Sequence, residues 1–138
     1  MSTAKPSRGL HIALWVVQVL LGLSFLMAGV MKTTQPLEVL GAGMPWVSRM
    51  PGAVVRFIGV SELLGGLGLI LPAASRILPV LTPAAAGGLV VVMILAAGHH
   101  AMYGEWAAIP INVVMGALAG FVLWGRLRAA PIAPRGQA

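Results

Sequence analysis

Four long runs of apolar residues dominate the chain, and short segments rich in polar residues, proline and glycine separate them. The runs cover residues 10–31, 53–72, 77–98 and 107–124. A helix rising about 1.5 Å per residue needs roughly 20 residues to cross ~30 Å of hydrocarbon, and each run is close to that length. No alternation of period two is visible, and helices satisfy their own backbone hydrogen bonds in lipid. The pattern therefore predicts an all-α membrane protein, a bundle of four transmembrane helices.

Composition and charge support a lipid environment. The 138 residues are 59% hydrophobic and only 9% charged, whereas about a quarter of the residues in a soluble domain are charged. The net charge is +6, but the basic residues lie at the ends of apolar runs, so nucleic acid is not an expected partner. The absence of cysteine excludes disulfides, thiol catalysis and cysteine-ligated metals. We expect no metal site, and the lipid bilayer is the first partner.

Lysine and arginine in the connections predict the orientation. The side that holds both termini carries most of them, namely Lys5, Arg8, Arg76, Arg126, Arg128 and Arg135. The other side has Lys32 and Arg49, so both termini are expected to be cytoplasmic. Residues 1–9 then form a cytoplasmic tail, residues 10–126 the transmembrane domain, and residues 127–138 a disordered cytoplasmic tail. The first run could instead be a signal peptide, but it is long for one and no cleavage motif follows.

Glu62 is the most informative polar residue within the apolar runs. It lies ~13 Å into the second predicted helix. Gly59, Gly65 and Gly66 share its helix face, so its side chain is expected to point toward another helix. An ionised group at that depth costs at least ~2.5–3.5 kcal/mol on insertion scales for comparable charges. The carboxylate must therefore be paired, hydrated or protonated, and we favour a functional role for it.

Polar residues of the other helices are expected to converge on the same level, in the outer half of the bilayer. Together they form a candidate cavity for ligand binding or proton relay. The candidates are Glu62, Arg56, Lys32, His99, His100, Asn112 and Gln18. Each also has a structural explanation: basic residues near helix ends can be snorkelling anchors, the histidines can be interfacial loop residues, and the amides can be interhelical hydrogen-bonding groups.

Small residues mark the predicted packing faces. The glycines proposed for helix packing are Gly59, Gly65, Gly66, Gly116 and Gly120. The last two form a GxxxG motif, which lets helix backbones approach closely. We interpret this motif as packing within the bundle, with a dimer interface as the alternative.

Several segments resemble the DoxX-like family of small bacterial membrane proteins. They are AGVMKTTQP, VRFIGVSELLGGLGLILP, LTPAAAGGLVVVMILAAGHH and INVVMGALAGFVLWGR. The resemblance covers residues 14–126, and its most specific part is the RxxGxxE pattern of Arg56, Gly59 and Glu62. It implies a four-helix bundle in the bacterial inner membrane. It also implies a link to redox metabolism, because named relatives are membrane subunits of thiosulfate:quinone oxidoreductases or partners of redox-stress enzymes.

Three functional hypotheses remain open. The first is a membrane subunit or binding module whose outer pocket holds a quinone-like or other amphipathic small molecule, in partnership with a redox enzyme. The chain holds no cofactor motif of its own, so a non-catalytic subunit of a quinone-linked oxidoreductase is favoured over a complete enzyme. The second is a small transporter or proton-coupled permeation unit, which requires a homo-oligomer. The third is a structural anchor for a partner enzyme.

Overall fold

The computed structural model describes residues 6–136, and within them every regular element is helical. The α-helices are α1 (Arg8–Thr34), α2 (Leu37–Gly43), α3 (Gly52–Ser75), α4 (Leu81–Met102) and α5 (Ile109–Trp124). Two 3-10 segments, Pro45–Arg49 and Trp106–Ala108, and a π-helical turn at Gly125–Ala129 complete the structure. Four helical stretches are long and apolar enough to cross a membrane: α1, α3, α4 and Trp106–Ala129. The predicted all-α bundle of four transmembrane helices is confirmed.

The helix boundaries differ from the hydrophobic runs at several ends. The first helix begins at Arg8 because the Ser7 hydroxyl accepts a hydrogen bond from the backbone N–H of Leu10 at 3.2 Å, as expected of an N-cap residue. The third membrane-spanning helix, α4, begins at Leu81 rather than at residue 77. Arg76 and Leu78 have positive φ angles of 60° and 47°, a left-handed conformation that ends a helix. The tight turn between α3 and α4 therefore lies after Arg76.

The bundle is built from two closely packed helix pairs. α1 packs along α3, α4 packs along α5, and contacts between α3 and α4 join the pairs. The apolar side chains buried between them are Leu21, Phe25, Leu69, Ala86, Leu89, Met93, Ala119 and Val122. Large apolar side chains also cover the outside, including Phe57, which is 72% exposed. Such a surface would be a continuous apolar patch in water, so the chain is an integral membrane protein.

Glycines set the distance between the two helices of the first pair. A Cβ added at Gly66 would lie 2.8 Å from the Gly22 carbonyl oxygen, and one at Gly59 would lie 2.8 Å from the Lys32 Cβ. Among the other predicted packing glycines, Gly65 lies against Leu89 of α4 and Gly116 against Met93. In the described chain, by contrast, no neighbouring atom lies within 4 Å of a Cβ built at Gly120.

Each end of the bundle carries a covering segment. At one end α2 and the segment Pro45–Arg49 pack on α3 through Leu40, Val47 and Val55. At the other end, the segment predicted to be disordered lies along the α3–α4 turn. The Arg76 carbonyl accepts from the Arg135 N–H at 2.9 Å, and the Arg76 guanidinium donates to the Ala133 carbonyl, also at 2.9 Å. Lys5 and the outermost parts of both tails lie outside the described residues, and the cytoplasmic orientation stays a prediction.

Candidate functional site

A buried ion pair joins the first helix pair. The Lys32 ammonium donates to both carboxylate oxygens of Glu62, each at 2.7 Å. The two side chains are only 10% and 4% exposed. Of the three states expected for a carboxylate at this depth, namely paired, hydrated or protonated, Glu62 is therefore in the paired one. A buried pair with such geometry recovers by charge-assisted hydrogen bonding much of what desolvation costs.

Local packing fixes where the ammonium can go. Gly59 lies directly against the Lys32 backbone, so α1 and α3 meet closely beside the pair. The Arg56 guanidinium donates to the Lys32 carbonyl at 2.6 Å, which satisfies an acceptor near the C-terminus of α1. The Trp46 ring lies 5.8 Å from the ammonium, within the range of a cation–π interaction. Lys32 is thus contacted by Glu62, Arg56 and Trp46.

A cavity of about 380 Å³ opens beside the ion pair. Lys32, Glu62, His99, His100 and Asn112 all line it, so α1, α3, α4 and α5 each contribute a polar group. The rest of its wall is mainly apolar: Trp46, Met50, Val54, Phe57, Ile58, Val92, Met93, Leu95 and Ala96. Concave, mostly apolar cavities with a few convergent polar groups are the usual form of small-molecule sites.

Part of the apolar wall of this cavity is formed by exposed side chains of α3 and α4. Phe57 of α3 and Leu95 of α4 both line the cavity, and they are 72% and 68% exposed on the outer surface of the bundle. Side chains that are exposed on this surface face hydrocarbon in a membrane. The apolar side of the cavity thus lies next to the outer surface of the bundle at α3 and α4.

Two further polar groups at the cavity retain unused hydrogen-bonding capacity. The Nε2 atom of His99 is buried and has no hydrogen-bond partner among the described residues. The Asn112 side-chain amide donates to the Ala108 carbonyl at 3.1 Å, which leaves its oxygen as the group that could accept from a ligand. A buried nitrogen without a partner is costly, so His99 would gain from a polar ligand.

A second charge cluster connects His100 with the two connecting segments at this end of the bundle. Glu105 accepts from Arg49 on one carboxylate oxygen and lies 2.6 Å from His100 Nδ1 on the other. These hydrogen bonds lower the pKa of Glu105 below its ordinary value. The bond from Arg49 has the larger effect, and the bond with His100 has the next largest. Arg49 also stacks over the Tyr103 ring at 4.5 Å. His100 thus lines the cavity and also binds Glu105 of the loop between α4 and α5.

Comparison with protein-family profiles matches the DoxX-like family over residues 16–122. The chain belongs to the DoxX-like family. The matched region contains the Lys32–Glu62 pair and every residue that lines the cavity beside it. A search of curated proteins and a search of solved structures each gave no match.

In this DoxX-like chain, most of the candidates predicted from sequence lie around one cavity, but two do not line it. Arg56 lies next to the cavity and holds the Lys32 backbone instead of facing a ligand. Gln18 is completely buried toward the other end of the bundle, where it donates to the Leu69 carbonyl at 2.7 Å and accepts from Arg126. The functional roles assigned to these residues stay predictions.

Sequence reasoning missed the aromatic and loop residues of the site. Trp46 reaches the ammonium from the segment Pro45–Arg49, and Glu105 binds His100 across the short loop between α4 and α5. The spacing of His100 and Glu105 across a short loop was the available signal. It also missed the buried cluster of Arg126, Gln18 and His11. His11 and Gln18 lie seven residues apart, on one face of α1, which could have suggested this second site.

Proposed function

We propose that this DoxX-like protein is a membrane subunit that binds a lipid-soluble, quinone-like molecule in the cavity beside Lys32 and Glu62. The observation that carries the proposal is the asymmetry of the cavity. Its wall at α3 and α4 is apolar and includes the exposed side chains of Phe57 and Leu95, and its polar groups come from all four membrane-spanning helices. An amphipathic ligand with a ring that accepts hydrogen bonds matches both features.

Glu62, Lys32 and His99 have different roles in this proposal. The Glu62 carboxylate is held by Lys32 on both oxygens, so it fixes the ammonium as a positive charge. The ammonium and His99 can donate hydrogen bonds to quinone carbonyl oxygens, and His99 can also move a proton when the ring is reduced or oxidised. The electrons would come from a partner redox enzyme, which makes this chain a non-catalytic subunit.

Binding is best tested with a short-chain quinone analogue on the purified protein in lipid nanodiscs. Trp46 lines the cavity, so a bound quinone should quench its fluorescence, and a Trp46→Phe variant identifies that part of the signal. His99→Phe keeps the ring volume but removes both nitrogens. We expect it to weaken binding by about five- to tenfold, the worth of one hydrogen bond.

Two matched variants make the test decisive. His11→Phe is the same substitution at the opposite end of the bundle, where the residue does not line the cavity, and it should leave the affinity unchanged. Ala96→Phe leaves every polar group in place but fills the cavity, and it should abolish binding. Unchanged affinity in both His99→Phe and Ala96→Phe would remove the proposal.

A proton-coupled transporter is the second candidate function, and it requires an oligomer. A Cβ built at Gly120 of α5 has no other described atom of the chain within 4 Å, so a second copy could pack against this position. Flux into proteoliposomes that is lost in Gly120→Leu, together with a dimer lost in the same variant, would favour this function. A structural anchor predicts instead that cavity substitutions change neither binding nor flux, while a partner enzyme still co-purifies.

A further inference from the structure

Arg126 is a buried positive charge at the end of the bundle that holds both described chain ends. It lies in the π-helical turn after α5, and only 4% of its surface is exposed. Gly125 allows this, because a side chain at that position would collide with Leu14 of α1. The last turn of the fourth span is therefore close to α1, and the next residue, Arg126, is buried against it.

No partner of this guanidinium within the described residues carries a negative charge. Nε donates to the Gln18 side-chain oxygen, and Nη1 donates to the Ala130 carbonyl at 3.1 Å and lies 3.2 Å from His11 Nδ1. The face of the Trp15 ring lies 5.4 Å away. The remaining nitrogen, Nη2, is buried with no hydrogen-bond partner. Buried charges are normally paired with an opposite charge.

No acidic side chain of this chain supplies that opposite charge. The sequence contains only three acidic residues. Glu62 binds Lys32, and Glu105 binds Arg49 and His100. Glu38 is exposed on α2, which follows the far end of α1. None of the three acidic side chains is therefore a partner of Arg126, which leaves room for an anion from outside the chain.

A cavity of about 350 Å³ leads to this residue. Among residues 6–136, Arg126 is the one charged residue that lines it, and the other walls are Leu78, Pro79, Val80, Pro83, Leu127, Pro131, Ile132 and Pro134. The wall from Pro131 to Pro134 is held by the hydrogen bonds of Arg76 to the Ala133 and Pro134 carbonyls. Val80 and Leu127 are 63% and 52% exposed, so the cavity opens on the outside of the bundle, beside the α3–α4 turn.

We infer that this cavity is a binding site for the phosphate of an anionic phospholipid, with Arg126 as the group that recognises it. A guanidinium binds phosphate oxygens with two parallel hydrogen bonds, and Nη2 is free to provide one. The apolar walls suit the glycerol and upper acyl chains of a lipid. Basic pockets between transmembrane helices are known to bind phospholipid head groups on the cytoplasmic side, which is the side that the arginine distribution predicts for this end.

The test measures which lipid the protein retains. Full-length protein is taken from mixed bilayers of phosphatidylcholine and phosphatidylglycerol into mild detergent, and the bound lipids are quantified by mass spectrometry. The wild-type protein should retain phosphatidylglycerol with about fivefold preference, the effect of one basic residue. Arg126→Gln should lose the preference. Arg128→Gln, an exposed arginine two residues away, should keep it.

A second pair of variants leaves Arg126 intact, which matters if Arg126→Gln does not fold. Val80→Glu places a carboxylate in the same cavity and should reduce retention of phosphatidylglycerol, while Val80→Gln should not. Inorganic phosphate titrated onto lipid-free protein distinguishes the source of the anion. If phosphate stabilises the protein as much as phosphatidylglycerol does, and Arg126→Gln loses this stabilisation, the anion site is supported and free phosphate is its ligand. The inference would be overturned if the wild-type protein retained both lipids equally and phosphate had no effect on it. It would also be overturned if retention of phosphatidylglycerol were unchanged in Arg126→Gln and Val80→Glu.

Discussion

Replacing Lys32 by methionine should destabilise the protein far more than the loss of one surface charge. Both Nζ–O distances are 2.7 Å, and the Glu62 side chain is 4% exposed. At that distance and an effective dielectric constant of ~20, the attraction is about 6 kcal/mol, and desolvation of the two ions offsets most of it. The single variant loses the attraction but still has a buried carboxylate, so we expect a cost of about 3–5 kcal/mol.

A double-mutant cycle in mixed micelles measures this directly as free energies of unfolding. Glu62→Met should cost a similar amount, because it leaves the ammonium unpaired. The double variant Lys32→Met with Glu62→Met should recover to within about 1–2 kcal/mol of wild type, since two methionines fill the space without charge. Arg49→Met removes a partner from the more exposed pair with Glu105 and should cost much less. A double variant as unstable as the sum of the two singles would refute the reasoning.

Three further predictions follow from the packing and the outer loop. Gly66→Ala should destabilise the bundle by about 1–3 kcal/mol, because the added Cβ lies 2.8 Å from the Gly22 carbonyl, while Gly88→Ala on the open face should be neutral or slightly stabilising in the same unfolding assay. Because the pKa of Glu105 is lowered in the folded protein, its contribution to the free energy of unfolding is complete above the ordinary carboxyl pKa and is lost as the pH falls through the lower folded-state value. Glu105→Gln should abolish this loss of stability at acid pH when unfolding is measured over a pH series. A pH profile of stability that is the same in the variant would contradict the role of this charge cluster. Ser7→Ala should weaken the start of α1 by about 1 kcal/mol, visible as faster amide hydrogen exchange in its first turn and nowhere else.

The sequence by itself determined the class of protein and the inward faces of its helices. Lipid offers the backbone no hydrogen-bonding partners, so a run of about 20 apolar residues has to be a helix. The helical period then predicts the buried stripe of α1 through Gln18, Gly22, Phe25, Gly29 and Lys32, all of which are buried in the structure. The cost of a carboxylate in lipid marked Glu62 as a residue that needs a partner.

Tertiary structure alone decided which partner each polar group received. Lys32 rather than Arg56 binds Glu62, and Gln18 binds Arg126 instead of joining the outer cavity. These choices depend on how far apart two helices lie and how each is rotated about its axis, and close glycine contacts such as Gly59 against Lys32 fix both quantities. The helical period describes one helix at a time, so it shows that a residue faces inward but not which residue of another helix it meets.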